Sequence, residues 1–209
     1  MNNEMISYFT HAKKPLGSTS REQIHQNGLW HETFHLWMIN NNNREPQIYL
    51  QLRSQTKKDF PNLFDITAAG HLHSKETTLD GLREVEEELG IALSSDDIYF
   101  IGQFLDRIHT KPFLDNEIAS SYVHFTSQLI ESFSLQKEEV AGMVAIPFHQ
   151  FKEVCFGLSN SMVASGYKEE GNQRIALEYE ITLDDLVPHS LSYLKQTVIA
   201  LEDALQRQV

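Results

Sequence analysis

The sequence contains a single cysteine and no long hydrophobic run. Cys155 is the one cysteine among 209 residues, which excludes an intrachain disulfide and a cysteine-based metal site. No apolar stretch approaches the roughly 20 residues that a membrane-spanning helix needs. The N-terminal segment also lacks the apolar core of a signal peptide. We therefore expect a cytoplasmic protein without a membrane partner.

Positive charge is also scarce. The chain has 17 Lys and Arg residues against 29 Asp and Glu residues, which gives a net charge of −12. A protein that binds duplex nucleic acid needs a basic surface to neutralise the phosphates, so we expect no nucleic-acid partner. With 41% hydrophobic residues, the chain can bury a core of ordinary size.

No internal repeat and no long linker divides the chain. We therefore predict one domain over residues 1–209. Within this domain we expect an N-terminal strand extension over about residues 1–30, a core over about residues 31–155 and a C-terminal helical segment over about residues 185–209.

Hydrophobic periodicity predicts strands that alternate with helices. Thr33–Ile39 is apolar on both faces, as in a buried central strand. Gln47–Arg53 alternates in polarity, and the Asn40–Asn43 run between these two segments is typical of a hairpin turn. The other predicted elements are strands over Ile98–Leu105, Ala119–Gln128 and Val144–Pro147, and helices over Thr77–Leu89, His149–Cys155 and the leucine-rich stretch after Pro188. This arrangement predicts an α/β (α+β) fold.

The predicted helix over Thr77–Leu89 carries a cluster of carboxylates. Thr77 is a suitable N-terminal cap and Gly90 a suitable C-terminal cap. On a helical wheel, one face is apolar (Leu82, Val85 and Leu89), the opposite face holds three glutamates (Glu84, Glu87 and Glu88), and Glu86 lies beside the apolar face. Carboxylates at this spacing repel one another. The pattern therefore indicates either a solvated acidic face or a site for Mg²⁺ or Mn²⁺, which prefer oxygen ligands.

The segment around this helix resembles the signature of the Nudix hydrolase family. Gly70 and Glu76 match the first part of the signature, and the fixed positions of the second part are matched by Arg83, Glu84, Val85, Glu87, Glu88, Gly90 and Ile91. There is one departure, because the stretch Thr77–Leu82 between Glu76 and Arg83 is one residue shorter than in the family pattern.

The resemblance implies a role for each matching residue. Glu87 and Glu88 are expected to ligate Mg²⁺ (or Mn²⁺), together with the backbone carbonyl of Ala69, and Glu84 is expected to be a further ligand or a base acting on water. Arg83 is expected to hold one of the carboxylates by an ion pair, while Gly70, Glu76 and Gly90 support the local structure. The family fold is an α/β/α sandwich with a mixed β-sheet between helices, in agreement with the periodicity.

Other parts of the chain are similar to the Nudix branch that includes type I isopentenyl-diphosphate isomerase. In that isomerase, histidines and two acidic residues hold a metal, and the residues near the matching positions here are His25, His31, His71, Asp115 and Glu117. These five are therefore candidates for a second metal or substrate site. The isomerase also needs a cysteine at the position occupied here by Ala69, so we do not expect isomerase activity.

The resemblance implies a hydrolase that cleaves a diphosphate linkage in a nucleoside diphosphate linked to a moiety X, by attack of a metal-activated water on phosphorus. Glu139 is a candidate base outside the signature, and X is expected to contact loops at Ser54–Phe64, Arg107–Asn116 and Phe156–Asn172. The alternatives are an isomerase-like enzyme acting on a non-nucleotide diphosphate and a Nudix-fold module that senses a nucleotide metabolite. The expected partner is a small diphosphate molecule, and a homodimer is common in the family.

Overall fold

The computed structural model describes residues 4–42, 45–110 and 113–208. Within these ranges the strands are β1 (Met5–Phe9), β2 (Pro15–Ser20), β3 (Trp30–Asn40), β4 (Gln47–Arg53), β5 (Phe64–Asp65), β6 (Ala68–His71), β7 (Tyr99–Thr110), β8 (Phe113–Thr126), β9 (Val140–Pro147), β10 (Met162–Glu170) and β11 (Gln173–Ile181). The α-helices are α1 (Arg21–Asn27), α2 (Leu82–Leu89), α3 (Phe148–Phe156) and α4 (Leu191–Gln206). None of the helices described here has the length and apolar character needed to cross a bilayer.

Strand β3 organises the sheet. On one side it pairs in parallel with β8 over its whole length, from Trp30 opposite Asn116 to Asn40 opposite Thr126. On the other side it pairs antiparallel with β1, β6 and β4 in turn. Strands β9, β10 and β11 extend the sheet beyond β4. The sheet is therefore mixed, and β3 brings residues from distant parts of the sequence together.

Side chains of β3 alternate between two apolar cores on opposite faces of the sheet. Phe34, Leu36 and Met38 pack in the core that contains Val85 of α2. Trp37 and Ile39 pack in the other core, with buried residues of α3 and α4 (Phe151, Val154, Tyr193, Leu194, Val198 and Leu201). The structure thus confirms the predicted sandwich of helices around a mixed sheet, and the predicted burial of β3 on both faces.

Two of the predicted loops are strands. Arg107–Asn116 belongs to the long β7–β8 hairpin, apart from residues 111–112, which lie outside the described ranges. Phe156–Asn172 includes β10, which pairs with β9 and β11. The hairpin ends were missed because polar residues such as Asp106, Arg107 and Asp115 interrupt the apolar pattern. Strands β10 and β11 were missed because they are rich in polar residues, which removes the apolar alternation on which the prediction depended. The predicted loop after β4 is confirmed up to Leu63.

The N-terminal segment forms β1, β2 and α1. Strand β1 pairs with both β2 and the start of β3, which places α1 beside the end of the central strand. Helix α1 was not predicted. It begins at Ser20, whose side chain accepts a hydrogen bond from the Gln23 N–H, and ends at Gly28 in the left-handed conformation. The predicted Asn40–Asn43 turn lies partly outside the described residues, since Asn43 is not among them.

Candidate active site

The glutamate-rich segment consists of a short 3-10 turn and a helix. The prediction of one continuous helix over Thr77–Leu89 is wrong at its start, because Thr78–Gly81 is a 3-10 turn and α2 begins at Leu82. Thr77 caps this turn, since its N–H and its hydroxyl both donate to Asp80, at 2.7 and 2.8 Å. Gly90 ends α2 with φ 68°, as predicted.

Arg83 holds two carboxylates next to the turn between β6 and α2. Its Nε donates to Glu76 Oε1 at 3.0 Å, and its Nη1 donates to Glu84 Oε1 at 2.5 Å. A further group, Nη2, donates to the His71 carbonyl at 3.2 Å. The shortened stretch between Glu76 and Arg83 therefore does not separate this pair. Arg83 is also 3.6 Å from Glu87, so the protein itself supplies part of the positive charge that the glutamates need.

Glu88 is buried, which corrects the prediction that it lies on an open polar face. Its residue exposure is 4%, whereas the Glu87 side chain is 57% exposed. Glu88 is only about 60° from Val85 around the helix axis, so it lies at the edge of the apolar face and is covered by β4. There Gln51 Nε2 donates to Glu88 Oε2 at 3.2 Å. Glu86, expected beside the apolar face, is exposed.

Burial makes the carboxylates of α2 hard to ionise. Burial, together with the charges of Glu84 and Glu139, raises the pKa of Glu88 to about 8, against the lowering effect of Lys57. Burial also raises the pKa of Glu84, against the effect of Arg83. A buried group of this kind needs a cation to be stable in its charged form. The carboxylates of α2 therefore fit a divalent cation with oxygen ligands.

These side chains open into a cleft of about 860 Å³. Its lining includes six glutamates (Glu4, Glu76, Glu84, Glu87, Glu88 and Glu139) and four basic residues (Arg21, Lys57, Lys75 and Arg83). Ala69 and Gly70 form part of the same wall. A Cβ atom at Gly70 would overlap the carboxyl group of Glu84, so glycine at this position allows the Glu84 carboxyl group to lie against β6.

Four of the predicted second-site residues form a compact cluster beside the cleft. His25 of α1, His31 of β3, His71 of β6 and Asp115 of β8 each offer a ligand atom, and these atoms lie within 4.8 Å of one another. The Nε2 atoms of His25 and His71 are 3.2 Å apart, and His31 Nε2 is 3.4 Å from Asp115 Oδ1. We call these four residues the histidine cluster.

The histidine cluster has the properties of a set of metal ligands. Burial lowers the pKa of His25 to about 3 and also lowers those of His31 and His71, which favours neutral imidazoles, the form that binds a metal ion. Buried atoms without a hydrogen-bond partner include His31 Nε2 and Asp115 Oδ1. Unpartnered buried polar atoms are costly in a folded protein. Their arrangement therefore fits a metal ion.

The fifth predicted residue, Glu117, lies apart from the cluster. It is opposite His31 in the β3–β8 register, but its carboxylate is 3.2 Å from His35 Nε2. It lines an inner cavity of about 90 Å³, together with Asp115 and His71. This cavity shares Ala69, Gly70 and His71 with the cleft. The two predicted sites are thus separated by the single strand β6.

Five buried polar residues around these cavities were not predicted as site residues: His35, Gln51, Asp65, Asp106 and His189. His189 bonds Asp106 Oδ2 through Nδ1 at 2.6 Å and Asp65 Oδ1 through Nε2 at 3.0 Å. His35 Nδ1 is 2.7 Å from the Tyr193 hydroxyl. The partners are far apart in the sequence, so no spacing pattern could indicate them. Only His35 and Gln51, polar residues inside predicted strands, gave a local signal.

Comparison with known proteins identifies the family. The family model of the NUDIX domain matches residues 29–162. An uncharacterized Nudix hydrolase of Clostridium acetobutylicum is 33% identical over 205 residues, which cover 97% of this chain and 99% of that protein. A crystal structure of a Deinococcus radiodurans protein has a TM-score of 0.53 at 18% identity, covering 70% of this chain and 85% of that one.

A second crystal structure has the same fold. A MutT/nudix family protein from Enterococcus faecalis has a TM-score of 0.52 at 18% identity, covering 82% of this chain and 62% of that one. The family model covers more than half of the chain, and the clostridial relative covers nearly all of it. The chain therefore belongs to the NUDIX domain family and is a Nudix hydrolase.

Proposed function

We propose that this enzyme is a Mg²⁺-dependent hydrolase, with Mn²⁺ as a substitute, that cleaves the diphosphate linkage of a nucleoside diphosphate linked to a moiety X. One observation carries the proposal. Glu88 is a buried carboxylate that borders a cleft in which six glutamates face four basic residues. This excess of carboxylates leaves a place for a divalent cation, and a cation in the cleft can also bind the phosphates of a substrate.

The residues of the cleft have distinct proposed roles. A divalent cation neutralises phosphate charge and lowers the pKa of water. Glu87, Glu88 and the Ala69 carbonyl are the proposed ligands. Arg83 orients Glu84 through the 2.5 Å contact, so that its carboxylate has one fixed position. Such fixed charges stabilise a transition state better than mobile ones.

Two carboxylates are candidates for the base that accepts the proton of the attacking water. Glu84 lies against Gly70, at the inner wall of the cleft, and burial raises its pKa toward the range of a general base. Glu139 also lines the cleft, on the segment before β9. We propose that one of these two residues is the base.

We further propose that the histidine cluster binds a second metal ion. Three neutral imidazoles and one carboxylate suit Mn²⁺, Zn²⁺ or another transition metal better than Mg²⁺. Metal analysis of the purified protein checks this assignment, with an expected loss of one bound ion in His71→Gln. Retention of the same metal content in that variant would contradict it.

A second candidate function is an isomerase-like reaction on a non-nucleotide diphosphate. The observation that favours it is the histidine cluster itself, which lies directly beside the cleft. Ala69 argues against it, because a methyl group cannot transfer a proton at carbon. The two functions differ in their products, since hydrolysis adds water to phosphorus and isomerisation does not.

The test is an assay of the purified enzyme with Mg²⁺ or Mn²⁺ in ¹⁸O-labelled water, with products identified by mass spectrometry. The panel contains nucleotide sugars, ADP-ribose, NADH, coenzyme A, dinucleoside polyphosphates, nucleoside triphosphates and isopentenyl diphosphate. We expect cleavage of a nucleoside diphosphate derivative, with the label on one phosphate. Conversion of isopentenyl diphosphate without label would favour the isomerase-like function instead.

Glu88→Gln is the critical variant of this assay. We expect it to lower kcat by at least about 10²-fold, because the amide removes the charge of a proposed metal ligand. Glu86→Gln is the matched control, since Glu86 lies on the same helix and is exposed, and its kcat is expected to stay within about twofold. Equal activity of Glu88→Gln and the control would refute the proposed metal site.

A further inference from the structure

Lys57 is a basic residue that faces the carboxylates of the cleft from the loop between β4 and β5. Its ammonium contacts Glu139 and is 3.9 Å from Glu88 Oε1. The side chain is only 22% exposed. Lys57 therefore lies inside the cleft, in the position of a counter-ion for two carboxylates.

The backbone around Lys57 is fixed to the segment that carries Glu139. The Ser54 N–H donates to the Glu139 carbonyl at 2.9 Å, and the Thr56 hydroxyl donates to the Glu138 carbonyl at 2.8 Å. Because these bonds hold the backbone, the four-carbon side chain of Lys57 is the part that can move. The ammonium is thus tethered within reach of the carboxylates of the cleft.

The two oxygens of Glu88 have different partners. Oε2 accepts the hydrogen bond from Gln51 at 3.2 Å, which leaves Oε1 as the oxygen that faces Lys57. Oε1 is therefore also the oxygen available to a metal ion. An ammonium and a divalent cation repel each other strongly at such short distances in a partly buried site, so they cannot both stay next to this oxygen.

Lys57 can also reach beyond the glutamates. It lines both the cleft and the inner cavity, as does Arg21. An anionic group that lies against the residues common to both cavities would therefore contact this ammonium. Lysine is well suited to such a contact, because its charge is compact and its stem is flexible.

We propose that Lys57 is a tethered counter-ion of the metal-free enzyme, which competes with the divalent cation for Glu88 and turns toward the phosphate oxygens of the substrate once the cation is bound. This inference rests on the metal site of the proposed function. It assigns Lys57 two effects of opposite sign, since the residue weakens metal binding in the absence of substrate and strengthens substrate binding in the presence of metal.

Calorimetric titration with Mg²⁺ in the absence of substrate tests the first effect. Mg²⁺ is chosen because an imidazole-rich cluster takes it poorly. For Lys57→Met we expect a Kd for Mg²⁺ about tenfold lower than that of the unsubstituted enzyme, and Lys57→Arg, which keeps the charge, should restore the weaker binding. Lys58→Met is the matched control, since Lys58 is the exposed neighbour, and its Kd should not change.

Steady-state kinetics at saturating Mg²⁺ test the second effect. We expect Lys57→Met to raise KM about tenfold and to change kcat much less, as when an ordinary binding contact is lost. An unchanged KM would refute the proposed phosphate contact. Thermal unfolding in EDTA, measured for each variant, shows which of them are folded.

A Glu88→Gln titration separates failure of this inference from failure of the proposed function. If Glu88→Gln loses Mg²⁺ binding while Lys57→Met binds Mg²⁺ no more tightly than the unsubstituted enzyme, the role of Lys57 is refuted and the metal site stands. If Glu88→Gln binds Mg²⁺ as well as the unsubstituted enzyme, the metal site of the proposed function is refuted together with the inference.

Discussion

His189 is the centre of a buried ion network beneath the inner cavity. Its ring lies between Asp106 and Asp65, and Asp65 also accepts a hydrogen bond from Arg53 at 2.7 Å. Burial alone would lower the pKa of His189, but the hydrogen bonds and charges of the two aspartates raise it to about 10. His35 and Tyr193 are the other ring systems that face it. His189 is therefore an imidazolium at neutral pH.

The pH dependence of stability follows from this pKa. Between the ordinary value of about 6.5 and the folded value near 10, the folded protein binds one more proton than the unfolded chain. The stabilisation is therefore complete below about pH 6.5 and is lost as the pH rises through 10, with a slope of at most about 1.4 kcal/mol per pH unit. We expect urea denaturation of His189→Gln in EDTA to show a flatter profile over this range.

His149 provides the control for this prediction. It is an exposed histidine paired with Glu45 at the surface, so His149→Gln should keep the pH profile of the unsubstituted protein. A His189→Gln profile that is as steep as that of the control would mean that His189 does not carry the extra proton.

Some residues of this site could be predicted from the sequence, and others could not. The glutamates of α2 and Arg83 could be identified because the Nudix signature consists of these residue types in this order along the chain. The burial of Glu88 was not, because Gln51 and Lys57 cover it from β4 and the following loop. In the same way, Asp115 comes close to His31 only through the parallel pairing of β3 and β8, and the local sequence carries no pattern that predicts such a pairing.

At the scale of elements, two glycines allow the turn before α2 to pack closely. Gly70 lies in β6 against the carboxyl group of Glu84, and Gly81 lies at the end of the 3-10 turn against the ring of Phe34 in β3. Neither needs a positive φ, since neither is among the glycines with positive φ. Each glycine instead allows a side chain to pack directly against the backbone. At Gly70 this side chain is the flexible end of Glu84, and at Gly81 it is the ring of Phe34 in the packed core.

The two positions should therefore respond differently to an added methyl group. Gly70→Ala displaces the Glu84 carboxylate, and we expect kcat to fall by about 10²-fold with a change in unfolding free energy below about 1 kcal/mol. Gly81→Ala overpacks the core and should cost about 1–3 kcal/mol of stability. Kinetics and urea denaturation of both variants check this contrast, and a large stability loss in Gly70→Ala with normal kcat would contradict it.

Elements at the periphery were predicted less well than those around the cleft. β2 (Pro15–Ser20) and β11 (Gln173–Ile181) are mostly exposed and polar, so neither shows the apolar alternation of a half-buried strand. The predicted positions of β3, β4 and α3 were close to the observed ones, because these elements pack in the core and carry a clear apolar pattern.

At the scale of the whole molecule, the C-terminal helix packs on the central strand β3, in the core on the opposite face of the sheet from α2. α4 lies outside residues 29–162, which match the family model, yet Tyr193, Val198 and Leu201 are buried beside Trp37 of the central strand. His189 adds an ionic connection from the same segment to β5 and β7. We propose that residues 1–209 form a single cooperative domain.

Substitutions in α4 test this proposal. Leu201 is fully buried and Ile199 is 50% exposed, so Leu201→Ala should lower the free energy of unfolding by about 2–5 kcal/mol and Ile199→Ala by less than about 1 kcal/mol. We expect one transition by both far-UV circular dichroism and tryptophan fluorescence. Two separate transitions, with Leu201→Ala moving only one of them, would show that α4 unfolds independently.

The composition of the histidine cluster has a consequence for folding kinetics. Its ligands come from α1, β3, β6 and β8, so the cluster is complete only after a long loop has closed and β8 has aligned beside β3. Contacts between such distant parts of a chain form late and slow the search for the native state. An ion held there would stabilise the finished protein and slow its unfolding, and it could not act as a template for the first steps of folding.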